Sequence, residues 1–327
     1  MHASNTVTAS LRQLAAPQGF FIGAAVEAQT LRDDAGYRTV LAREFNMLVA
    51  GNAMKFGPLC PQPDQYDFTN ADTIVAFAAT NGMQVRGHTL VWHQQLPLWL
   101  EHGTQTPAQV KAILRKHIQT LVGRYRGRVA MWDVVNEAFD DNGPALRDSF
   151  WLKKLGPEYL AWAFQWAHEA DPAAQLVYND FGIEGMNAKS DAALALVTRL
   201  KAAGVPIHAV GMQMHITPEM PARLAENIAR FRTAGFAVQF TEVDVQLPMP
   251  VQPTALAQQA DIYRALLETA MTSGINTFVM WGFTDRHSWV PHFFKGKGAA
   301  LPFDEQLQPK PAYTALHAVL TQAPSRR

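Results

Sequence analysis

Two glutamates stand where buried strands are predicted to end, and this placement points most directly to chemistry. Glu137 closes the apolar run 129–137, and Glu242 lies in the second such run, 236–244. Taken alone, Glu137 would fit the first turn of a helix equally well. The second stretch favours a catalytic role over a helix-end role, because two strand-end carboxylic acids can face each other across the mouth of one barrel. Cleavage of a glycosidic bond requires such a pair.

Short apolar runs alternate with helical patterns along the chain, which is typical of β-α units around a parallel sheet. Runs that are apolar at nearly every position suit strands covered on both faces. With 327 residues, the chain has the length of one (β/α)8 TIM barrel, whose active site lies at the carboxyl ends of the strands. Eight strands are predicted, at residues 20–26, 45–52, 84–90, 129–136, 175–180, 209–215, 237–243 and 277–281.

The sequence also predicts helix boundaries. Thr106 followed by proline predicts the start of an amphipathic helix over 107–125. Several helices are predicted to end at a glycine just before the next strand, namely at Gly82, Gly204, Gly235 and Gly274. Long loops are predicted after the second, fourth and eighth strands. No linker or low-complexity tract interrupts the pattern, so we expect one catalytic domain over 1–327 without an appended binding module.

The composition favours an uncharged substrate. Lys plus Arg and Asp plus Glu both number 28, which argues against nucleic acid or an anionic membrane as partner. A monomer is expected, and the single cysteine, Cys60, excludes an intrachain disulfide. No apolar stretch is long enough for a membrane span. Residues 1–18 lack the pattern of a signal peptide, which predicts a cytoplasmic location, or a secreted or periplasmic one if a signal was removed.

Seven short segments, in this order, together carry a family resemblance. They are Asn52-Ala53-Met54-Lys55, Gly87-His88-Thr89-Leu90-Val91-Trp92-His93, Trp132-Asp133-Val134-Val135-Asn136-Glu137, Gln213-Met214-His215, Thr241-Glu242-Val243-Asp244, Trp281-Gly282 and Phe303-Asp304. On these residues the chain resembles the glycoside hydrolase family 10 endo-β-1,4-xylanases from about residue 11 to about residue 320. The resemblance implies hydrolysis of internal xylosidic bonds of xylan with retention of configuration, without a metal or other cofactor.

The resemblance also implies roles for individual residues. Glu242 is expected to be the nucleophile and Glu137 the general acid and base, with carboxyl groups about 5–5.5 Å apart. His215 is expected to hydrogen-bond Glu242 and to be oriented by Asp244. Asn179 is expected to support the catalytic groups without touching the sugar. The remaining expected substrate contacts are Asn52, Lys55, His88, Trp92, Gln95, Asn136, Gln213, His215, Trp281 and Trp289.

One departure from the family pattern affects the expected sugar contacts. The family usually carries a glutamate before the asparagine of the second strand, and this chain has Gly51. We therefore expect weaker binding on the glycone side, or a different preference for decorated substrate.

Three other interpretations fit parts of the sequence. A retaining glucanase or mannanase would keep the barrel and both glutamates but take another sugar. A non-catalytic sugar-binding barrel is disfavoured because both carboxylic acids and Asn136 are present. A metal-dependent hydrolase would use histidines as ligands, but the sequence offers no tight ligand cluster. The candidates for such ligands are His88, His93, His215 and His287.

Overall fold

The computed structural model describes residues 9–141 and 143–323 and contains a closed barrel of eight parallel strands. Each strand pairs with the next along the chain, and β8 closes the ring by pairing with β1. The predicted (β/α)8 TIM barrel is thus confirmed. The strands are β1 (Phe21–Val26), β2 (Met47–Ala50), β3 (Gln84–Val91), β4 (Met131–Asn136), β5 (Gln175–Asp180), β6 (Ala209–Met212), β7 (Ala237–Val245) and β8 (Thr277–Met280).

Helices surround the barrel and fill its loops. The longer ones are Ala35–Glu44, Thr69–Thr80, Pro107–Arg124, Tyr159–Ala170, Ala188–Ala202, Leu224–Thr233, Pro253–Thr272 and Pro311–Gln322. The shorter ones are Leu11–Ala15, Ala28–Asp33, Phe56–Leu59, Leu98–Glu101, Phe150–Leu155 and Val290–Phe293, with 3-10 turns at Ala16–Gln18 and Asp285–His287. Of the helices in the described residues, none combines the length and hydropathy needed to span a bilayer.

The two faces of each strand pack against different neighbours, as β2 illustrates. Leu48 and Ala50 join the large apolar cluster between the barrel and its helices. Met47 and Val49 join a separate cluster that also contains Val177 from β5. Because side chains alternate across a strand, this second cluster fills the barrel interior. The interior below the mouth is therefore a packed core that supports the strand ends.

The predicted helix boundaries are largely confirmed. The Thr106 side chain accepts a hydrogen bond from the Gln109 backbone N–H, and the Gln109 side chain accepts one from the Thr106 backbone N–H, which forms a capping box before Pro107–Arg124. The four glycines predicted to end helices all adopt left-handed backbone conformations: Gly82, Gly204, Gly235 and Gly274.

One prediction about the strands was wrong. Strand β6 ends at Met212, three residues before the predicted end at 215, and Met214 takes a left-handed conformation with φ of 66°, so Gln213 and His215 lie outside that strand. His215 instead begins the two-residue strand His215–Ile216, which pairs with β7. The long segments predicted as loops contain short helices, at Phe56–Leu59, Phe150–Leu155 and Val290–Phe293.

Candidate active site

The side chains of Glu137 and Glu242 are connected by a short chain of amide groups. Gln213 donates from Nε2 to Glu137 Oε1 at 3.0 Å and to Asn136 Oδ1 at 3.3 Å. Asn179 donates from Nδ2 to the same oxygen of Asn136 at 2.8 Å and to Glu242 Oε1 at 2.7 Å. Because every link is a hydrogen bond, both carboxyl groups lie in one site at the carboxyl end of the barrel.

The backbone of Glu137 is held in an unusual conformation directly after β4. Its φ is 57°, in the left-handed region that non-glycine residues seldom adopt. The Glu137 backbone N–H donates to the carbonyl of Asn179 at 2.9 Å, and Arg147 Nε donates to the Glu137 carbonyl at 3.3 Å. Such conformations cost about 1–3 kcal/mol and concentrate at active sites, where surrounding contacts maintain them. Here the contacts aim the carboxylate into the mouth of the barrel.

A glycine on β6 makes room for the amide that links the two carboxyl groups. A side chain at Gly211 would collide with Asn179 Oδ1 and with the methyl group of Thr241. Thr241 Oγ1 donates to Asn179 Oδ1 at 2.7 Å, which fixes the orientation of the amide. Asn179 Nδ2 therefore faces Asn136 and Glu242 as a donor.

Glu242 is buried and surrounded by donors. His215 Nε2 lies 3.1 Å from Glu242 Oε2, while His215 Nδ1 lies 2.8 Å from Asp244 Oδ2, as the predicted contacts require. Burial acts to raise the pKa of Glu242, but the hydrogen bond from His215 and the nearby His88 outweigh it, so the pKa lies below its ordinary value. Burial acts to lower the pKa of His215, yet its two carboxylate neighbours hold that pKa well above the ordinary value. An imidazolium beside Glu242 keeps the carboxylate ionised.

Replacing His215 with glutamine is expected to move the acidic limb of kcat/KM to higher pH. The hydrogen bond from His215 lowers the pKa of Glu242, so its loss raises that pKa, and the carboxylate then ionises only at higher pH. The pH profile for an aryl β-xylobioside measures the shift. The exposed His102 provides a matched control, since His102→Gln should leave the profile unchanged. An acidic limb at the wild-type pH in His215→Gln would contradict this account of Glu242.

Glu137 has a different environment from Glu242. Trp92 Nε1 donates to Glu137 Oε2 at 2.7 Å, and His93 Nδ1 lies 3.7 Å from the same oxygen. Burial lowers the pKa of His93 to about 4, so its ring is neutral near neutral pH. The side chain of Glu137 is 11% exposed, whereas that of Glu242 is 6% exposed. The two carboxyl groups therefore differ mainly in the charge of their neighbours.

A buried ion pair beneath the site was not predicted. Arg86 contacts Asp133 through two nitrogens, and Arg86 Nη1 donates to Gln239 Oε1 at 2.6 Å. Asp133 Oδ2 lies 3.0 Å from His88 Nδ1, and that nitrogen lies 3.9 Å from Glu242 Oε1. A sequence signal was available, because a charged residue inside an otherwise apolar buried strand needs a partner. Positions 86 and 133 each lie inside such a run.

Replacing Arg86 with methionine is expected to reduce the free energy of unfolding by about 3–5 kcal/mol, because Asp133 would remain buried without its cation. Chemical denaturation measures the change. Arg115→Met is a matched control, since Arg115 pairs with Glu169 at the surface and its loss should cost at most about 1 kcal/mol. Equal losses for both variants would refute a special contribution of the buried pair.

The predicted sugar contacts from the second and third strand ends form one cluster. Asn52 Oδ1 accepts from Lys55 Nζ at 2.9 Å and from Gln95 Nε2 at 3.1 Å. Lys55 is 6% exposed, and its ammonium lies 4.6 Å from the centre of the Trp92 ring. Burial lowers the pKa of Lys55, although the charge of Glu242 opposes this. Lys55 is thus a cleft residue and not a solvated surface charge.

Aromatic rings complete the wall of the site. Trp281 lies edge-on to His88, with 5.0 Å between ring centres. Trp289 lies 4.9 Å from His215 and donates from Nε1 to Asp244 Oδ2 at 2.7 Å. Within residues 9–141 and 143–323, no three His, Cys, Asp or Glu side chains cluster as metal ligands would. Of the four histidines considered as metal ligands, His287 packs against Tyr37, with 5.5 Å between ring centres.

Comparisons with known proteins agree on one family. A family model described as Glycosyl hydrolase family 10 matches residues 10–319. Endo-1,4-beta-xylanase B of Thermotoga neapolitana is 42% identical over 318 residues, which cover 95% of this chain and 92% of that protein. Exoglucanase XynX of Acetivibrio thermocellus is 39% identical over 312 residues, which cover 91% of this chain and 28% of that longer protein.

Solved structures resemble this chain over nearly its whole length. Native xylanase 10B from Thermotoga maritima superposes with a TM-score of 0.93 at 43% identity, covering 96% of this chain and 98% of that one. Xylanase 10B from Thermotoga petrophila RKU-1, solved in complex with xylobiose, superposes with a TM-score of 0.93 at 42% identity, covering 98% and 99%.

Proposed function

Because the chain belongs to glycosyl hydrolase family 10, we propose that it is an endo-1,4-β-xylanase that cleaves internal bonds of xylan with retention of configuration. The observation that carries the proposal is the hydrogen-bonded chain between Glu137 and Glu242. Retention requires one carboxylate that attacks the anomeric carbon and a second carboxyl group that acts first as an acid and then as a base. The site offers two such groups in different environments.

In the first step, Glu242 is the nucleophile. Its ionised carboxylate, held by His215 and Asn179, attacks the anomeric carbon and forms a glycosyl ester. Glu137 gives its proton to the departing glycosidic oxygen, so the leaving chain departs as a neutral alcohol. Trp92 and Gln213 hold one oxygen each of Glu137 while this proton moves.

In the second step, Glu137 reverses its role. As a carboxylate it takes a proton from a water molecule, whose oxygen attacks the anomeric carbon of the ester. The bond to Glu242 breaks, the carboxylate is restored, and Glu137 is again protonated. Two displacements at one carbon restore the original configuration.

Asn136 has one polar group free for the sugar. Its Oδ1 already accepts from Asn179 and Gln213, whereas its Nδ2 has no protein acceptor among the described residues. That N–H group can donate to a sugar hydroxyl, which supports a contact with the 2-hydroxyl that strengthens in the transition state.

We also propose that the chain is a single-domain monomer that takes a neutral polysaccharide. Its zero formal charge and the tryptophans at the mouth suit pyranose rings without charged groups. Sedimentation equilibrium should give one species near 36.2 kDa. A stable dimer would refute the monomer.

Hydrolysis of three polysaccharides tests the choice of sugar. We expect turnover of xylan with xylo-oligosaccharides as early products, and at least about tenfold lower kcat/KM on β-glucan and mannan. Glucan is the second candidate, because one relative of this chain is named an exoglucanase. A higher kcat/KM on glucan would favour that candidate, and turnover of none of the three would refute glycosidase activity.

A further inference from the structure

The side chain of Glu27 turns away from the helix that it precedes. Glu27 occupies the N-cap position of the helix Ala28–Asp33, yet its carboxylate makes no capping hydrogen bond there. Glu27 Oε1 instead accepts from Asn52 Nδ2 at 2.7 Å. The ordinary structural role of an acidic side chain at this position is therefore unused.

Glycine at position 51 permits this arrangement. A Cβ atom there would collide with Glu27 Oε1, whereas the Gly51 backbone N–H donates to the carbonyl of Val26 at 3.0 Å and holds the two segments together. The sequence led us to expect weaker glycone binding because Gly51 replaces the glutamate usual in the family, but the structure places the carboxylate of Glu27 beside Asn52. Strand β1 delivers a carboxylate to the space beside Gly51.

Glu27 belongs to the same polar network as the predicted sugar contacts. Asn52 joins it to Lys55 and Gln95, both of which donate to Asn52 Oδ1. Burial raises the pKa of Glu27, and the hydrogen bond from Asn52 and the charge of Lys55 oppose that shift. Glu27 Oε2 accepts no hydrogen bond from any residue in the described ranges, which leaves it available to a ligand.

We propose that Glu27 binds substrate, with its carboxylate accepting hydrogen bonds from hydroxyl groups of the sugar unit next to the one attacked. Asn52 links Glu27 to Lys55, whose ammonium lies 4.6 Å from the centre of the Trp92 ring, and Trp92 in turn donates to the catalytic Glu137. Glu27 therefore belongs to a network that reaches the reacting groups. A carboxylate only accepts, so the ligand must supply hydroxyl donors, as a neutral pyranose does. This inference rests on the proposed function.

Two aryl glycosides distinguish this role from a structural one. Glu27→Ala should lower kcat/KM about 10- to 100-fold for an aryl β-xylobioside, which is the range expected for losing hydrogen bonds to a charged group. For an aryl β-xyloside, which lacks the second sugar, kcat/KM should change by less than about twofold. Asp33→Ala removes an exposed carboxylate from the adjoining helix and should leave both values unchanged.

Gly51→Ala tests the same carboxylate without removing it. The atom closest to the new methyl group is Glu27 Oε1, the far end of a flexible side chain. The barrel should therefore fold with Glu27 displaced. Gly51→Ala should lower kcat/KM for the aryl β-xylobioside by the same factor as Glu27→Ala. The double variant, which carries both substitutions, should lower it no further. If these variants lower kcat/KM equally for both glycosides, or do not lower it, the inference is overturned while the proposed function stands. Wild-type protein that turns over neither glycoside would overturn the proposed function itself and this inference with it.

Discussion

Replacing Glu242 with alanine is expected to lower kcat on xylan by at least about 10⁴-fold, because the attacking group disappears while the rest of the site remains. Added azide should restore turnover of an activated aryl β-xylobioside. Azide enters from the side that the carboxylate vacates, so one displacement occurs and the product is the α-glycosyl azide. NMR of the product determines its anomeric configuration.

A matched control separates this loss from general effects of substitution. Glu219 is exposed and takes no part in the hydrogen bonds of the chain of amides, so Glu219→Ala should retain wild-type turnover and gain nothing from azide. Thermal unfolding of both variants checks that the barrel is intact. A β-glycosyl azide from Glu242→Ala would assign the nucleophile to another residue.

Replacing Glu137 with alanine should affect substrates according to their leaving group. On xylan, whose leaving alcohol needs a proton, the rate should fall about 10²- to 10⁴-fold. For a dinitrophenyl β-xylobioside, which leaves without protonation, the first step should be nearly unchanged, so kcat/KM should stay close to wild type. The second step loses its base, so the glycosyl ester should accumulate and give a burst of dinitrophenol.

Azide again distinguishes the roles. In Glu137→Ala it should attack the glycosyl ester on Glu242, and two displacements give the β-glycosyl azide. The contrast with Glu242→Ala therefore lies in product configuration as well as rate. An equal loss for xylan and the dinitrophenyl substrate would contradict the role of Glu137 as general acid.

The sequence predicts most of the barrel and predicts that the reacting groups lie at one edge of it. Periodicity and glycine placement define the eight strands, because a parallel sheet buried on both faces leaves a strong apolar signal. Strand ends are less well determined, as the region after Met212 demonstrates. There a left-handed residue, Met214, redirects the chain, and the cleft positions of Gln213 and His215 depend on that turn.

Contacts between distant segments could not be predicted from local pattern. Arg86 and Asp133 were recognisable as charges within buried strands, but their pairing depends on the register of β3 against β4. Nothing in the sequence predicted a substrate contact for Glu27, since a glutamate before a helix ordinarily complements the helix dipole. Its contact with Asn52 exists because β1 lies beside β2 and because position 51 lacks a side chain.

The configuration of the first product tests the central claim most directly. If Glu242 attacks the anomeric carbon and Glu137 acts first as acid and then as base, proton NMR during early hydrolysis of xylohexaose will show the β-anomer first, with the α-anomer growing later by mutarotation. Initial appearance of the α-anomer would mean a single displacement by water. The assignment of Glu242 as nucleophile would then be wrong.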